Sequence, residues 1–253
     1  MEEFVNLVTL ACQRRDFNTI AQLLWLPLTA SAKSQYSEGI SLMLNQPCRF
    51  PAFQNAPLAE VLHEHFKALS HISQGLSHDN VAAACAATIS ALQAMVKSLT
   101  AESRQELPIL KRLALNLLHL SMAADRLAKA SAVHSAQREE GARQISKAFT
   151  ACITDRASME NSKKWAVLNL ANILFRLYFD LGTVRLGGNI ARAIDTALNV
   201  DFPPFEQLPK ADVVTYYYRR GRMLMNQGHF KKAEEHFAEA SRLCSNRFFA
   251  QKR

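Results

Sequence analysis

Tyr216-Tyr217-Tyr218-Arg219-Arg220-Gly221-Arg222, followed by Gly228 and then by Ala233, Phe237, Ala240 and Cys244, is the stretch whose spacing decides the fold. Set on a helix-turn-helix repeat of about 34 residues, Tyr217, Gly221 and Leu224 take positions on a first helix. Gly228 takes the turn, and Ala233 and Phe237 take positions on a second helix. Gly221 and Ala233 are small where two antiparallel helices must approach closely, and Phe237 fills the gap beside them. Arg220 stands where such a repeat calls for leucine, and Ser245 falls at or near the place of its closing proline. A motif of this kind builds a surface and carries no catalytic constellation.

Outward from that pair, the chain reads as successive amphipathic helices with short breaks and no period-2 strand pattern. The spacing predicts helices over 2–14, 17–25, 31–44, 58–74, 81–99, 108–130, 136–153 and 163–181, and a short one from Asn189 to about Leu198. Pro47, Pro51 and Pro57 mark an irregular connection over 46–57. Gly75 breaks the helix before it, Ser77 or Asp79 caps the next, and Pro108 suits a first turn because it has no N–H to leave unpaired. Gly187-Gly188 reads as punctuation, Asn189 as the cap of a short helix, and Asp212 as the cap of the helix holding the opening stretch. Within 163–181, Asn169, Asn172, Arg176 and Asp180 recur at spacings of three, four and four, forming one narrow polar stripe. A helix polar on a single line is covered on its other sides, as in the middle of a stacked solenoid. The fold class expected is all-α, a right-handed superhelical stack of helical pairs that resemble tetratricopeptide repeats.

At 253 residues, with 49% hydrophobic content and only 8 glycines and 8 prolines, the chain suits one or two packed helical domains. Cys12, Cys48, Cys85, Cys152 and Cys244 are scattered, odd in number and without a Cys-x-x-Cys pair. That argues against a disulfide framework and a zinc site, and for buried thiols of an intracellular protein. Glu2 and Glu3 sit where a secretory segment would be basic. The most apolar stretch, 165–181, is broken by polar residues and too short for a membrane span. The net charge of +8 is uneven: residues 210–253 hold ten basic residues against four acidic ones, which leaves a surplus of two for the other 209. A local positive field attracts phosphate backbones or acidic protein segments, although solvated helix faces carry such charge without a partner too.

The remaining candidate chemistry is sparse. His63-Glu64-His65 places residues two apart on different helix faces, so no metal site is expected. No glycine-flanked serine elbow or phosphate-cradling loop appears, and neither catalysis nor a cofactor is expected. Gly187-Gly188-Asn189 reads as a plain turn in preference to an anion site. Lys163 and Lys164 beside Trp165 could neutralise phosphates while the indole stacks on a base. The competing reading keeps the lysines solvated and Trp165 in the core, and it is favoured for the tryptophan. Arg219 and Arg222 share a helix face while Arg220 points elsewhere, and Tyr216 to Tyr218 divide between core and surface. The candidate nucleic-acid-binding set is thus Lys163, Lys164, Arg219, Arg222, Lys231, Lys232, Lys252 and Arg253. The helix-packing set is Trp165, Tyr217, Gly221, Ala233 and Phe237.

Ser162-Lys163-Lys164-Trp165, with Asn172, Leu174-Phe175, Tyr178-Phe179 and the run Ile190-Ala191-Arg192-Ala193-Ile194-Asp195, resembles the centre of a known family. It is that of the PCI-domain proteins of the nuclear transcription-export complex, with their relatives named for the twelfth subunit of the COP-nine signalosome. Val214-Thr215-Tyr216-Tyr217-Tyr218, Gly221-Arg222 and Phe230, Ala233-Glu234 and Phe237 are similar to that family's last helical pair before its winged helix. The likeness is strong from Cys152 to Arg253 and rests on helix order before that. It implies N-terminal helical repeats over 1–157 and the helical part of a PCI domain over 158–253, with a winged-helix module expected where the chain stops. It further implies a non-enzymatic scaffold subunit in mRNA export at the nuclear pore, located in the nucleus with some in the cytoplasm. The partners implied are a GANP-type helical scaffold protein, a small acidic protein, and RNA or DNA on a basic face. The second reading is a PCI subunit of a COP-nine signalosome or proteasome-lid assembly, whose positive face meets acidic protein.

Overall fold

The protein, a computed structural model, is described over residues 2–26, 56–99 and 103–244. These residues form ten α-helices and, among themselves, no strand. In chain order they are α1 (Glu2–Gln13), α2 (Phe17–Leu23), α3 (Ala56–Gln74), α4 (His78–Ser98) and α5 (Leu107–Ala130). There follow α6 (Gln137–Ile153), α7 (Val167–Asp180), α8 (Val184–Leu198), α9 (Lys210–Asn226) and α10 (Phe230–Leu243). The result is an all-α, tetratricopeptide-like helical stack. The helix expected over 31–44, most of the connection expected over 46–57, and Cys48, Ser245, Lys252 and Arg253 lie outside the described residues. The chain divides into two compact units, Met1–Ala148 and Phe149–Arg253.

In the first unit, α1 lies on α2, α2 on α5, α3 on α4 and α4 on α5. The Ser77 hydroxyl accepts from the Asn80 N–H at 3.2 Å and starts α4, and Pro108 occupies the first turn of α5. Along α4 the buried side chains Ala84, Ala87, Ala91 and Ala94 are small, so its neighbours come close. On α5, Leu110, Leu113 and Leu117 are removed from solvent entirely, each contributing roughly 1.5–3 kcal/mol of burial. Helix α4 is long and apolar enough to cross a membrane by length and composition, but half of that window is buried, as in a core helix. Two α5 side chains close the open end of α2: Arg112 Nε donates to the Ala21 carbonyl at 2.9 Å and Asn116 Nδ2 to that of Leu24 at 2.6 Å. They satisfy carbonyls that a helix terminus leaves without an internal partner.

The buried Asp125 carboxylate joins α5 to α6. It accepts from the Ser135 hydroxyl at 2.7 Å, the Gln137 N–H at 3.0 Å, the Arg138 N–H at 3.3 Å and Arg138 Nε at 2.7 Å. Burial alone would raise its pKa, but these hydrogen bonds hold it below the ordinary carboxylate range.

The second unit opens on a smaller version of the same device. Asp155 accepts from the Ser162 hydroxyl and the Lys163 N–H, and Ser162 in turn accepts from the Lys164 N–H. These bonds fix a 3-10 turn over Lys163–Ala166 that leads straight into α7. Helix α7 contacts both α8 and α9, and α9 and α10 form an antiparallel hairpin turned at Gly228, where φ is +81° and a side chain would be strained.

Gly187-Gly188 corrects the sequence reading. Helix α8 starts at Val184 and runs through both glycines, so they neither punctuate the chain nor open a helix, and Asn189 is not a cap. Gly187 is there because a Cβ would come within 3.2 Å of the Met223 sulfur and the Phe175 ring; tertiary contact overrides the local cost of glycine in a helix. Gly188 has room, its nearest neighbour being Gln227 at 3.5 Å. Gly188→Ala is therefore expected to stabilise the protein by about 0.5–1 kcal/mol, while Gly187→Ala gains nothing. Thermal unfolding of the two variants checks this; equal gains at both positions would contradict the close approach.

Candidate nucleic-acid interface

The polar stripe of α7 faces a helix, not solvent, at its first two positions. Asn169 Nδ2 donates to the Asp212 carboxylate at 2.9 Å, and Asn172 Nδ2 to the Asp212 carbonyl at 2.9 Å. Arg219 Nη1 donates back to the Asn172 carbonyl at 2.6 Å. The stripe is thus a polar seam between α7 and α9. Asp212 lies inside the first turn of α9, whose cap position is Pro209; the expectation that Asp212 caps the helix is corrected accordingly.

The three tyrosines divide by depth. Tyr216 is 1% exposed, and burial pushes its phenol up to about 12. Tyr217 is half-buried, its ring 5.7 Å from that of Phe205 and 5.6 Å from that of His236 on α10. Tyr218 is exposed. Arg220, at the leucine position, turns toward α8 and forks onto both oxygens of Asp195 at 2.5 Å while donating to the Tyr216 hydroxyl at 2.6 Å. A planar fork with five donors matches that carboxylate, which is how an arginine occupies a position the repeat reserves for an apolar side chain.

Across the hairpin, a Cβ on Gly221 would stand 2.8 Å from the Phe237 ring, and Ala233 is buried opposite. Trp165 is half-buried, and its indole N–H donates to the Met159 carbonyl at 2.7 Å. Lys164 requires correction as a phosphate contact: its side chain is 8% exposed and its ammonium lies 2.9 Å from Asp201. Burial removes it from the solvated surface on which either sequence reading had placed it. Lys163 Nζ lies 3.9 Å from Asp155 and is mostly covered. Lys231 and Lys232 are exposed in the first turn of α10. Lys252 and Arg253 are outside the described residues.

Arg219 and Arg222 do come together, and Arg176, which the sequence analysis left in the stripe, joins them. The three line a groove of about 800 Å³ among α7, α9 and α10, together with Phe179, Tyr218 and Phe237. The Arg222 guanidinium lies over Phe179, 4.7 Å from its ring centroid, and 5.8 Å from that of Tyr218, a cation–π arrangement that leaves its N–H groups available. Burial, then the neighbouring charges of Arg176 and Arg222, pull the Arg219 pKa down to about 10, so Arg219 remains cationic at neutral pH. Among the described residues, no ion pair includes Arg176, Arg219 or Arg222. The spacing that could have found Arg176 was present: it is one turn beyond Asn172, whose carbonyl holds Arg219.

The other candidates resolve structurally. His65 is fully buried and its pKa is pushed down to about 3 by that burial, which makes it a neutral core side chain, while Glu64 pairs with Lys67 at 2.5 Å. No group of metal-ligating side chains occurs among the described residues.

Residues 214–247 match the tetratricopeptide repeat family. Over 106 residues the chain is 38% identical to the "Protein CSN12 homolog" of Neurospora crassa, covering 42% of this chain and 23% of that protein. It is 32% identical over 193 residues to "PCI domain-containing protein 2" of Xenopus laevis, covering 74% of this chain and 46% of that protein. Against the "PCI domain-containing protein 2 homolog" of Drosophila melanogaster, identity is 27% over 260 residues, spanning all of this chain and 62% of that protein. The chain therefore spans less than two thirds of the length of these relatives. Their names support a PCI-domain family.

Proposed function

We propose that this chain is a non-enzymatic PCI-type scaffold subunit of a nuclear complex that couples transcription to mRNA export at the nuclear pore. In that reading it docks on a GANP-type helical scaffold protein together with a small acidic protein and touches RNA or DNA through its basic C-terminal region. The observation that carries the proposal is the likeness to PCI domain-containing proteins along the whole chain, together with the repeat hairpin of α9 and α10. Stacked helical pairs of this kind serve as extended docking surfaces, and the groove holds three arginines against one carboxylate, Asp180.

Affinity capture from nuclear extract with the full chain tests it: a GANP-type scaffold and a small acidic protein are expected in the eluate. The name of the Neurospora relative favours a second reading, a subunit of a COP-nine signalosome or proteasome-lid assembly. Recovery of those subunits in place of the export scaffold would decide for it, and recovery of neither set would overturn both.

A further inference from the structure

We propose that the groove among α7, α9 and α10 is a binding site for single-stranded nucleic acid, with phosphates on Arg176 and Arg222 and an unstacked base against Tyr218. The inference rests on the nucleic-acid contact proposed above and narrows it from the basic C-terminal region to one groove, to which α7 adds Arg176.

Charge is the first argument. Three buried or half-buried cations of this fold sit on a carboxylate: Arg220 on Asp195, Lys164 on Asp201 and Arg138 on Asp125. The groove places three arginines on one cavity, and among the described residues its one lining carboxylate, Asp180, is exposed and in no ion pair with them, offsetting the charge on Arg219 only in part. Like charges held together are mutually unfavourable, and an entering anion relieves that cost.

Shape is the second. The volume of about 800 Å³ is within the range of sites that hold a compact ligand of one or two nucleotides' size. The lining alternates guanidinium groups with aromatic rings, and Tyr218 keeps about half its surface open. Aromatic side chains inside a groove reach bases only when these are not stacked in a duplex, so the combination suits a single strand. An acidic peptide would satisfy the arginines, but nothing in its charge would use the rings, and the basic surplus of residues 210–253 suits a backbone with a charge at every unit.

The experiment uses the full chain and a fluorescently labelled ten-nucleotide oligouridylate, read by anisotropy at several salt concentrations. Wild type is expected to bind with affinity that falls as salt rises. The pair Arg176→Ala and Arg222→Ala should weaken binding at least tenfold and reduce the salt slope by about 1.4, the value for two phosphate contacts on a single strand. Tyr218→Ala should weaken binding about fivefold or more with the salt slope unchanged, because stacking releases no counterions. Arg219 is left intact because it also bonds the Asn172 carbonyl. Thermal melts confirm that the variants fold, and if the arginine pair does not, the Tyr218 variant alone decides.

Duplex RNA of the same length, tripolyphosphate and an oligoglutamate peptide are the competitors. Displacement by oligoglutamate or tripolyphosphate as effective as that by the unlabelled strand would overturn the inference, as would tighter binding of the duplex. Capture of the protein partners is measured on the same variants. Arginine variants that bind the strand like wild type would sink the groove while leaving the scaffold reading standing; loss of partner capture by wild type would sink that reading separately.

Discussion

Asp125→Ala is expected to lower the stability of the first unit by about 3 kcal/mol at neutral pH, the sum of a lost helix cap and of charge-assisted hydrogen bonds left unmade. The carboxylate is 7% exposed and serves two elements at once, accepting two N–H groups at the start of α6 and the Arg138 side chain. Removing it strands donors that water reaches poorly. Asp125→Asn keeps an acceptor but loses the charge and should cost roughly half as much. The pH dependence has a definite sign. A carboxyl whose folded pKa is depressed contributes stability that is fully present above its unfolded value, near 3.9, and is lost as pH falls through the folded pKa. The gap between wild type and Asp125→Ala should therefore be widest at pH 6–8 and shrink below about pH 4. Urea unfolding at pH 7 and pH 3 measures both; a difference under about 1 kcal/mol at pH 7 would show that the junction is not held by this residue.

Helix existence was legible because its determinants are local. Ser77, Pro108 and the periodic apolar faces act within a turn or two of where they stand, and helices α1 to α6 begin within about three residues of the places those signals indicate. What escaped depends on partners distant in sequence. Gly187 reads as a break on propensity and is a helix residue because Phe175 and Met223 leave no room for a Cβ. Asp212 has the chemistry of a cap, yet Asn169 claims its carboxylate from 43 residues away.

The groove shows the same division. That Arg219 and Arg222 share a face follows from helical geometry alone. That Arg176 completes their cluster depends on how α7 is seated against α9, which the stripe spacing suggested without saying which helix it met. Lys164 failed as a surface candidate for the converse reason: its partner Asp201 lies 37 residues on, beyond the two helices α7 and α8.

Gly221→Leu is expected to lower the stability of the second unit by about 3 kcal/mol, at the upper end of overpacking costs. A Cβ alone would stand 2.8 Å from Cε1 of the Phe237 ring and 2.9 Å from Cδ1, so the branched side chain forces the ring aside or parts α9 from α10. Gly221→Ala is the milder probe: it gains about 1 kcal/mol of helix propensity and loses a comparable amount to that contact, leaving little net change. Phe237→Ala by itself leaves a void. In combination with Gly221→Leu the void is refilled, so the double variant should be more stable than the sum of the two single costs by about 1–2 kcal/mol. Additive costs would mean that Gly221 is intolerant for a reason other than this ring. The effect should also reach the groove, because Phe237 lines it and its ring lies 6.0 Å from that of Tyr218. A leucine that displaces Phe237 moves the wall on which a base is proposed to stack, so oligouridylate binding by folded Gly221→Leu protein should weaken several-fold while the salt slope set by Arg176 and Arg222 is kept.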